Sequence, residues 1–108
     1  MRDDLIISDV QFDLVAHLHR QRDFSHRAFG AGARMEVLHA HIRKELDEIA
    51  AEPADVNHWI DVALLALDGA CRAGHTPEEI AVALGIKQGK NEARFSSDSH
   101  PGDRKKDL

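Results

Sequence analysis

The stretch HIRKELDEIAAEPADVNHWIDVALLALDG, residues 41–69, says most about the fold of this 108-residue chain, because it carries the end of one helix and most of the next. Apolar residues step by four, four and three through the first of these helices: Leu38, Ile42, Leu46 and Ile49. Pro53 ends this amphipathic helix. Asp55 then caps a helix that is apolar nearly all round and ends at Gly74, and it is predicted to be the most buried helix of the fold.

A further helix is predicted before this pair. Apolar residues near helical spacing indicate a helix from about residue 9 to 23, with Ser8 as its N-cap. The segment FSHRAFGAGARM, residues 24–35, breaks this period. It is predicted to be a loop in which Gly30 and Gly32 supply backbone freedom.

A fourth helix follows the pair, and its start is the clearest local signal in the chain. Thr76 is an N-cap, Pro77 occupies the first helical position and Glu79 the third, which together form a capping box. Four helices without strand alternation predict an all-α fold, an antiparallel four-helix bundle of residues 1–95. Residues 96–108 contain almost no apolar side chain and are predicted to be a disordered tail.

Composition and charge limit the classes of function. Hydrophobic residues make up 43% of the chain and charged residues 31%, which is typical of a globular protein. A net charge of −5 argues against a nucleic acid polymer as partner. The lone Cys71 excludes an internal disulfide, and no segment approaches the roughly 18 apolar residues of a membrane span. Because the N-terminus MRDDLIISDV also lacks the features of a signal peptide, we expect a cytoplasmic protein without a membrane partner.

Polar side chains occur on helix faces that their apolar neighbours indicate are buried. At about 100° per residue, Glu45 lies within about 20° of Leu38, and Glu48 lies on the same side. The next helix carries a polar stripe within about 80°: His58, Asp61, Asp68 and Arg72. If the two faces meet, carboxylates about 6 Å apart repel each other by roughly 3 kcal/mol at an effective dielectric constant near 20. The repulsion must be neutralised.

Protonation, partner cations or a divalent metal ion could neutralise these carboxylates. Protonated carboxylates would lose the negative charge that makes them useful in a site. The nearby cations are too few for a buried ion-pair network: Arg43, Lys44 and Arg72. A metal is the best account, and carboxylate oxygens suit Mg²⁺ or Mn²⁺, with roughly one to three ions. Side chains suited to a polyphosphate occupy the rear of the fourth helix: Lys87, Lys90, Asn91 and Arg94. Metal and cations together are typical of phosphate-ester hydrolases.

Glu45-x-x-Glu48 followed by His58-x-x-Asp61 resembles the ExxE…ExxD signature of the MazG-like, all-α nucleoside triphosphate pyrophosphohydrolases. Four successive blocks, which include most of this motif, resemble the dATP/dGTP diphosphohydrolase branch of that superfamily and cover about residues 19–95: RQRDFSHRAFGAGAR, HIRKELDEI, WIDVALLALDGACRAGHTPEEI and KQGKNEAR. The resemblance implies a MazG-like bundle that is completed by oligomerisation, as a homodimer or homotetramer.

The resemblance also implies a reaction and its residues. A deoxynucleoside triphosphate would be hydrolysed to its monophosphate and pyrophosphate, with water attacking the α-phosphorus and Mg²⁺ or Mn²⁺ assisting. Either Glu45 or Glu48 would be the catalytic base, and spacing does not choose between them. The implied metal ligands are Glu45, Glu48 and Asp61, and the implied triphosphate contacts are Lys87, Asn91 and Arg94.

The chain departs from the family pattern at His58, where the pattern has a glutamate. With a neutral nitrogen as metal ligand, the preference could shift towards Mn²⁺ or Co²⁺, one ion could be held more weakly, or Asp68 or Glu52 could take over as ligand. These alternatives stay open. An imidazole ligand predicts that metal dependence falls off below about pH 6.5.

Three other residues have two interpretations each. Asp68 either serves the substrate site or pairs with Arg72. Trp59 either stacks on a base or packs in the core. Arg34, after the glycines, either reaches the substrate or anchors its own loop.

The predicted function is hydrolysis of a purine deoxynucleoside triphosphate, dGTP and/or dATP, which controls the nucleotide pool. One alternative is the same reaction on a pyrimidine substrate, dUTP or dCTP. Eight histidines suggest the other alternative, a non-catalytic helical module that binds a metal or a partner.

Overall fold

Four α-helices make up the part of the chain that the computed structural model describes, residues 11–97. They are α1 (Leu14–Phe29), α2 (Met35–Ala51), α3 (Val56–Arg72) and α4 (Pro77–Ser97), and residues 11–97 contain no strand. Helix α3 contacts each of the other three, α1 also packs on α4, and α2 packs along α3. The predicted all-α class is confirmed. None of these four helices is long and apolar enough to cross a bilayer.

Helix α1 differs from its predicted bounds at both ends. It begins at Leu14, where Asp13 is the N-cap and its Oδ1 accepts a hydrogen bond from the amide of Ala16 at 3.1 Å. It continues to Phe29 through half of the predicted loop, because Ser25 faces α3 and is buried there. Gly30, with φ of 80°, ends the helix. The predicted cap Ser8 lies outside the described residues.

Helix α2 buries a stripe that includes an acidic residue. Leu38, Glu45 and Ile49 are buried, whereas Leu46, which the periodicity placed in the stripe, is 51% exposed. The prediction for Leu46 was therefore wrong. Glu45 is buried instead of Leu46, because α3 packs on the side of α2 that carries Glu45. The prediction that this carboxylate lies within the apolar stripe is confirmed.

Helix α3 is central but is not buried on all sides. Its predicted ends are confirmed: Asp55 Oδ1 accepts from the amide of Asn57 at 2.9 Å, and Gly74 closes a Schellman motif in the left-handed region, with φ of 107°. Its outer apolar side chains are about half exposed: Val56, Trp59 and Ile60. Helix α3 nevertheless has the smallest share of exposed residues among the four helices, which agrees with the prediction of the most buried helix. The predicted oligomer, which would cover this face, stays a prediction.

Helix α4 begins with the predicted capping box. Thr76 Oγ1 accepts from the amide of Glu79 at 3.1 Å, and Glu79 Oε1 accepts from the amide of Thr76 at 2.8 Å. The helix continues through Gly85 and Gly89 to Ser97. The predicted tail, residues 96–108, overlaps the described residues only in the last turn of α4.

We expect Thr76→Ala to lower the free energy of unfolding by about 1 kcal/mol, since the helix loses its N-cap acceptor and Glu79 loses its reciprocal partner. Urea denaturation followed by circular dichroism would measure the change. The matched control is Thr76→Ser, which keeps the hydroxyl and should stay close to the native value. Equal stability of the alanine and serine variants would contradict the prediction.

Candidate functional site

Acidic side chains at the end of α2 surround a histidine in the first turn of α3. Glu45 and Glu48 lie on the side of α2 that faces α3, and the short connection at residues 52–55 turns the chain back so that His58 meets them. Nδ1 of His58 lies 3.9 Å from Glu45 Oε2 and 3.6 Å from Glu48 Oε2. The pairing of α2 with α3 therefore brings together three of the predicted metal ligands.

The other nitrogen of the same imidazole faces a second pair of carboxylates. Nε2 of His58 lies 3.2 Å from Glu52 Oε1, within hydrogen-bond distance, and 3.7 Å from Asp55 Oδ2. From the sequence, Glu52 was a possible substitute ligand and Asp55 was only a helix cap. Asp55 does both, since its Oδ1 caps α3 while its Oδ2 approaches His58.

Two polar atoms at the centre of this site are buried without a hydrogen bond. Within the described residues, neither Glu45 Oε2 nor His58 Nδ1 has a hydrogen-bond partner, although the two atoms are only 3.9 Å apart. Buried polar atoms normally have partners, so this pair indicates a missing one. One atom each from Glu45, Glu48 and His58 lies within 4.8 Å of the other two. An ion with ligands at about 2.1 Å separates opposite ligands by about 4.2 Å, so these residues fit a divalent cation.

The surroundings of Glu45 favour its protonated form. Burial is the largest cause that raises the pKa of Glu45 above its ordinary value, followed by a hydrogen bond and charge repulsion from Glu48 and by the charge of Asp61. His41, whose Nε2 lies 3.9 Å from Glu45 Oε1, opposes the rise in pKa. The repulsion between carboxylates that was expected from the sequence is therefore present at Glu45, and a divalent cation would neutralise it.

The surroundings of His58 favour its charged form. The hydrogen bond to Glu52 raises the pKa of His58 most, burial opposes that rise, and the charges of Asp55 and Glu48 add to it. A protonated imidazole between carboxylates is a local counter-charge that a metal ion would have to displace.

The raised pKa of His58 changes the expected pH dependence. A metal needs the neutral imidazole, so a proton competes with the metal wherever pH is below the folded-state pKa, which lies above the ordinary value of 6.5. Metal-dependent activity should therefore begin to fall above pH 6.5 as the medium is acidified. In the metal-free protein, the stability that protonated His58 contributes is complete below pH 6.5 and is lost as pH rises through the folded pKa.

A pH profile of activity at subsaturating Mn²⁺ would measure this effect. In His58→Glu the midpoint should move to the range of carboxylates, whereas His41→Asn, a change at the rim of the same cluster, should keep it. A His58→Glu profile that matches the native one would show that the imidazole does not bind the metal.

Asp61 is the predicted ligand that stands furthest from the others. It is exposed, and it is not part of the groups of His, Cys, Asp and Glu atoms within 4.8 Å of one another in residues 11–97. Its carboxylate is nevertheless close enough to raise the pKa of Glu45. Its role as a ligand stays a prediction.

Asp68 is buried beside Arg72, and the two side chains form the ion pair that was one of the two interpretations of Asp68. Arg72 Nε donates to Asp68 Oδ2 at 3.1 Å. The rest of the guanidinium holds the connection between α1 and α2, with Nη1 donating to the carbonyl oxygens of Gly30 and Gly32 and Nη2 donating to Ser25 Oγ at 2.7 Å. The pair therefore joins α3 to the end of α1.

The structure places Trp59 and Arg34 in local contacts. Trp59 Nε1 donates to the carbonyl oxygen of Pro53 at 2.8 Å, so the indole is tied to the α2–α3 connection. Arg34 lies in the left-handed region with φ of 50°, and its guanidinium carbon is 4.8 Å from the ring centroid of Phe29. The cation–π contact supports the anchoring interpretation of Arg34, and substrate contact stays a prediction for both residues.

The predicted triphosphate contacts lie on the second half of α4. Lys87 and Lys90 are exposed, and Asn91 and Arg94 are half-buried. Within residues 11–97, α4 packs on α1 and α3 but not on α2, which carries Glu45 and Glu48. In a single chain, the cationic residues of α4 therefore do not lie beside the carboxylates of α2, and their role in binding the triphosphate stays a prediction.

A cavity of about 600 Å³ lies between α1 and α3. Its apolar walls include Phe24, Phe29, Leu64 and Leu65, and Asp68 also lines it. This cavity could not be predicted from the sequence, because it depends on how α1 crosses α3 and on the continuation of α1 to Phe29.

A family model described as dATP/dGTP pyrophosphohydrolase matches residues 17–108, which include His58, the four carboxylates around it and the residues that line the cavity. Comparison with curated proteins and with solved structures finds no match. The resemblance noted in the sequence is thereby confirmed. The chain belongs to the dATP/dGTP pyrophosphohydrolase family and is an enzyme, a hydrolase that acts on nucleoside triphosphates.

Proposed function

We propose that the protein hydrolyses a purine deoxynucleoside triphosphate, dGTP and/or dATP, to the monophosphate and pyrophosphate, with Mg²⁺ or Mn²⁺ as cofactor. It would act in the cytoplasm and limit the nucleotide pool. The family supports the reaction. The observation that carries the metal dependence is the pair of buried, unpartnered ligand atoms, Glu45 Oε2 and His58 Nδ1, beside Glu48.

The proposed ligands are Glu45, Glu48 and Nδ1 of His58, with Asp61 at the edge of the site. When bound, the cation neutralises the carboxylates and the phosphate oxygens and lowers the pKa of water. Glu52 accepts a hydrogen bond from the opposite nitrogen of His58, which holds the ring with Nδ1 towards α2. This makes Glu52 a positioning residue for His58 rather than its replacement.

The chain's own carboxylates orient and deprotonate the attacking water. Glu48 suits this role better than Glu45, because 40% of its side chain is exposed against 9% for Glu45. Glu48 accepts the proton as the water oxygen forms a bond to the α-phosphorus. The bond from the α-phosphorus to the oxygen that bridges to the β-phosphate breaks, and pyrophosphate leaves.

The nitrogen ligand favours Mn²⁺ over Mg²⁺ more than an all-oxygen site would. Imidazole suits first-row transition metals, whereas Mg²⁺ prefers carboxylate, carbonyl and water oxygens. The substitution of histidine for glutamate also removes one negative charge, so each ion is balanced by fewer carboxylates. We therefore propose higher activity with Mn²⁺ than with Mg²⁺ at equal concentration.

We propose that the outer phosphates contact the cationic residues of α4 from a second protomer in a homodimer or homotetramer. Two observations support this arrangement. Helix α4 does not reach α2 in one chain within residues 11–97, and apolar side chains on α3 and α4 are exposed, such as Trp59, Val82 and Ile86. A partner that covers these side chains would bury apolar surface and could bring the proposed contacts to the carboxylates: Lys87, Lys90, Asn91 and Arg94.

One assay tests the proposed function. The protein is incubated with each of the deoxynucleoside triphosphates and dUTP, with Mg²⁺ or Mn²⁺, and the products are separated by anion exchange. Monophosphate plus pyrophosphate from purine substrates is the expected result. Diphosphate plus orthophosphate would reject attack at the α-phosphorus, turnover of only dUTP or dCTP would assign a pyrimidine substrate, and no turnover would contradict the proposal.

A further inference from the structure

The cavity between α1 and α3 has the size and walls of a site for an aromatic ligand. Its volume of about 600 Å³ falls within the roughly 300–1,000 Å³ of small-molecule sites. The rings of Phe24 and Phe29 line it, and both side chains are more than half exposed. Aromatic rings that are not buried in a core offer a surface on which a planar base can stack.

A buried carboxylate with a fixed orientation lines the same cavity. Arg72 holds Oδ2 of Asp68, and Arg72 is in turn held by the carbonyl oxygens of Gly30 and Gly32. Oδ1 of Asp68 accepts no hydrogen bond from the described residues. A carboxylate can accept about four hydrogen bonds in all, so this buried group retains the capacity to accept hydrogen bonds from a ligand.

The cavity continues the face of α3 that carries the metal ligands. His58, Asp61, Leu65 and Asp68 are spaced by three, four and three residues, which places them along one side of the helix. At 1.5 Å per residue, Asp68 lies about 10 Å along the helix axis from Asp61, at the edge of the metal site, and about 15 Å from His58. A nucleoside spans about the shorter distance from its 5′-oxygen to the far edge of its base, and its phosphates extend further towards His58, so one nucleotide can reach both places.

We propose that this cavity binds the purine base of the substrate and that Asp68 selects guanine over adenine. The inference rests on the proposed function, because the metal cluster determines where the phosphates lie. Guanine presents two neighbouring donors on one edge, the N1–H and the 2-amino group, and both can donate to a carboxylate. Adenine presents a single 6-amino donor beside the acceptor N1, whose lone pair is repelled by the carboxylate.

Two substrates test the inference on the native protein. dITP keeps N1–H but lacks the 2-amino group, so its kcat/KM should be about tenfold or more below that of dGTP, and that of dATP about 10- to 100-fold below. Equal values for dGTP and dITP would overturn the role of the second donor, and equal values for dGTP and dATP would overturn the selection of guanine.

Two variants test the role of the carboxylate. In Asp68→Asn the amide should reduce the ratio of kcat/KM for dGTP over dATP by about tenfold or more, whereas Asp47→Asn, an exposed aspartate on α2, should leave it unchanged. An unchanged ratio in folded Asp68→Asn would overturn the inference. If that variant does not fold, the comparison of dGTP with dITP on the native protein decides.

The inference and the proposed function can fail separately. Titration calorimetry with dGMP and dAMP measures base binding without turnover. If the native protein hydrolyses purine triphosphates but shows no preference for dGMP, the function stands and the inference falls. If it hydrolyses nothing but still prefers dGMP, and Asp68→Asn removes that preference, the function falls and the base site stands.

Discussion

Glu48→Ala should lower kcat for the release of pyrophosphate by at least about 10²- to 10⁴-fold, the usual contribution of a general base. The loss should be at the upper end of this range, because Glu48 is proposed both to accept a proton and to hold the cation. Rates with dGTP at saturating Mn²⁺ would measure it. Asp47→Ala, on the same helix and exposed, is the matched control and should keep native kcat.

The same variant should fold. Glu48 is only partly buried, and its charge and hydrogen bond both raise the pKa of Glu45, so its removal relieves repulsion in the metal-free protein. We expect an unchanged helical circular dichroism spectrum and a Tm no lower than native in the presence of a chelator. Native protein should gain Tm when Mn²⁺ is added, and Glu48→Ala should gain less. A folded Glu48→Ala enzyme with native kcat would refute both roles assigned to this carboxylate.

Arg72→Met should have the largest effect on stability, with a loss of about 3–5 kcal/mol in the free energy of unfolding. The side chain of Arg72 is 0% exposed, and it donates to one carboxylate, one hydroxyl and three backbone carbonyls. Methionine fills much of its volume but leaves Asp68 charged and unpaired. Small domains have only about 5–15 kcal/mol in total, so much of the protein would unfold at moderate temperature.

A double-mutant cycle separates two contributions of Arg72 to stability: its ion pair with Asp68 and its hydrogen bonds to the connection between α1 and α2. Asp68→Leu combined with Arg72→Met removes both charges and should recover part of the loss, because the largest cost in Arg72→Met is the uncompensated carboxylate. The remaining loss measures the hydrogen bonds from Arg72 to Ser25 and to the glycine carbonyls. Urea denaturation would give both values, and a loss below about 1 kcal/mol in Arg72→Met would show that solvent or another donor replaces the guanidinium.

The elements that could be predicted are those with signals inside a few neighbouring residues. The capping box at Thr76, the cap at Asp55 and the left-handed glycine at Gly74 each depend on hydrogen bonds within one turn, and all three are present. The inclusion of Glu45 in the buried stripe also followed from helical spacing alone.

The predictions that failed depended on contacts between helices. The spacing of apolar residues predicted that Leu46 is buried, but α3 packs on the side of α2 that carries Glu45 and leaves Leu46 exposed. The segment after residue 23 looked like a loop, yet Arg72 holds Ser25 from the neighbouring helix and α1 continues to Phe29. The exposure of Val56, Trp59 and Ile60 on α3 was also not predicted, because composition cannot show whether another helix of the same chain covers each face.

The helical class, both ends of α3, the start of α4, the family and most of the carboxylates of the candidate site could be read from the sequence, because helical period and capping are local and residue types are read directly. Three features came from the packing of the helices: His58 stands between two pairs of carboxylates, Asp55 belongs to one of these pairs, and a cavity follows along the same face of α3. These features depend on the distance and angle at which one helix crosses another, which side-chain packing sets across the interface and no single segment encodes.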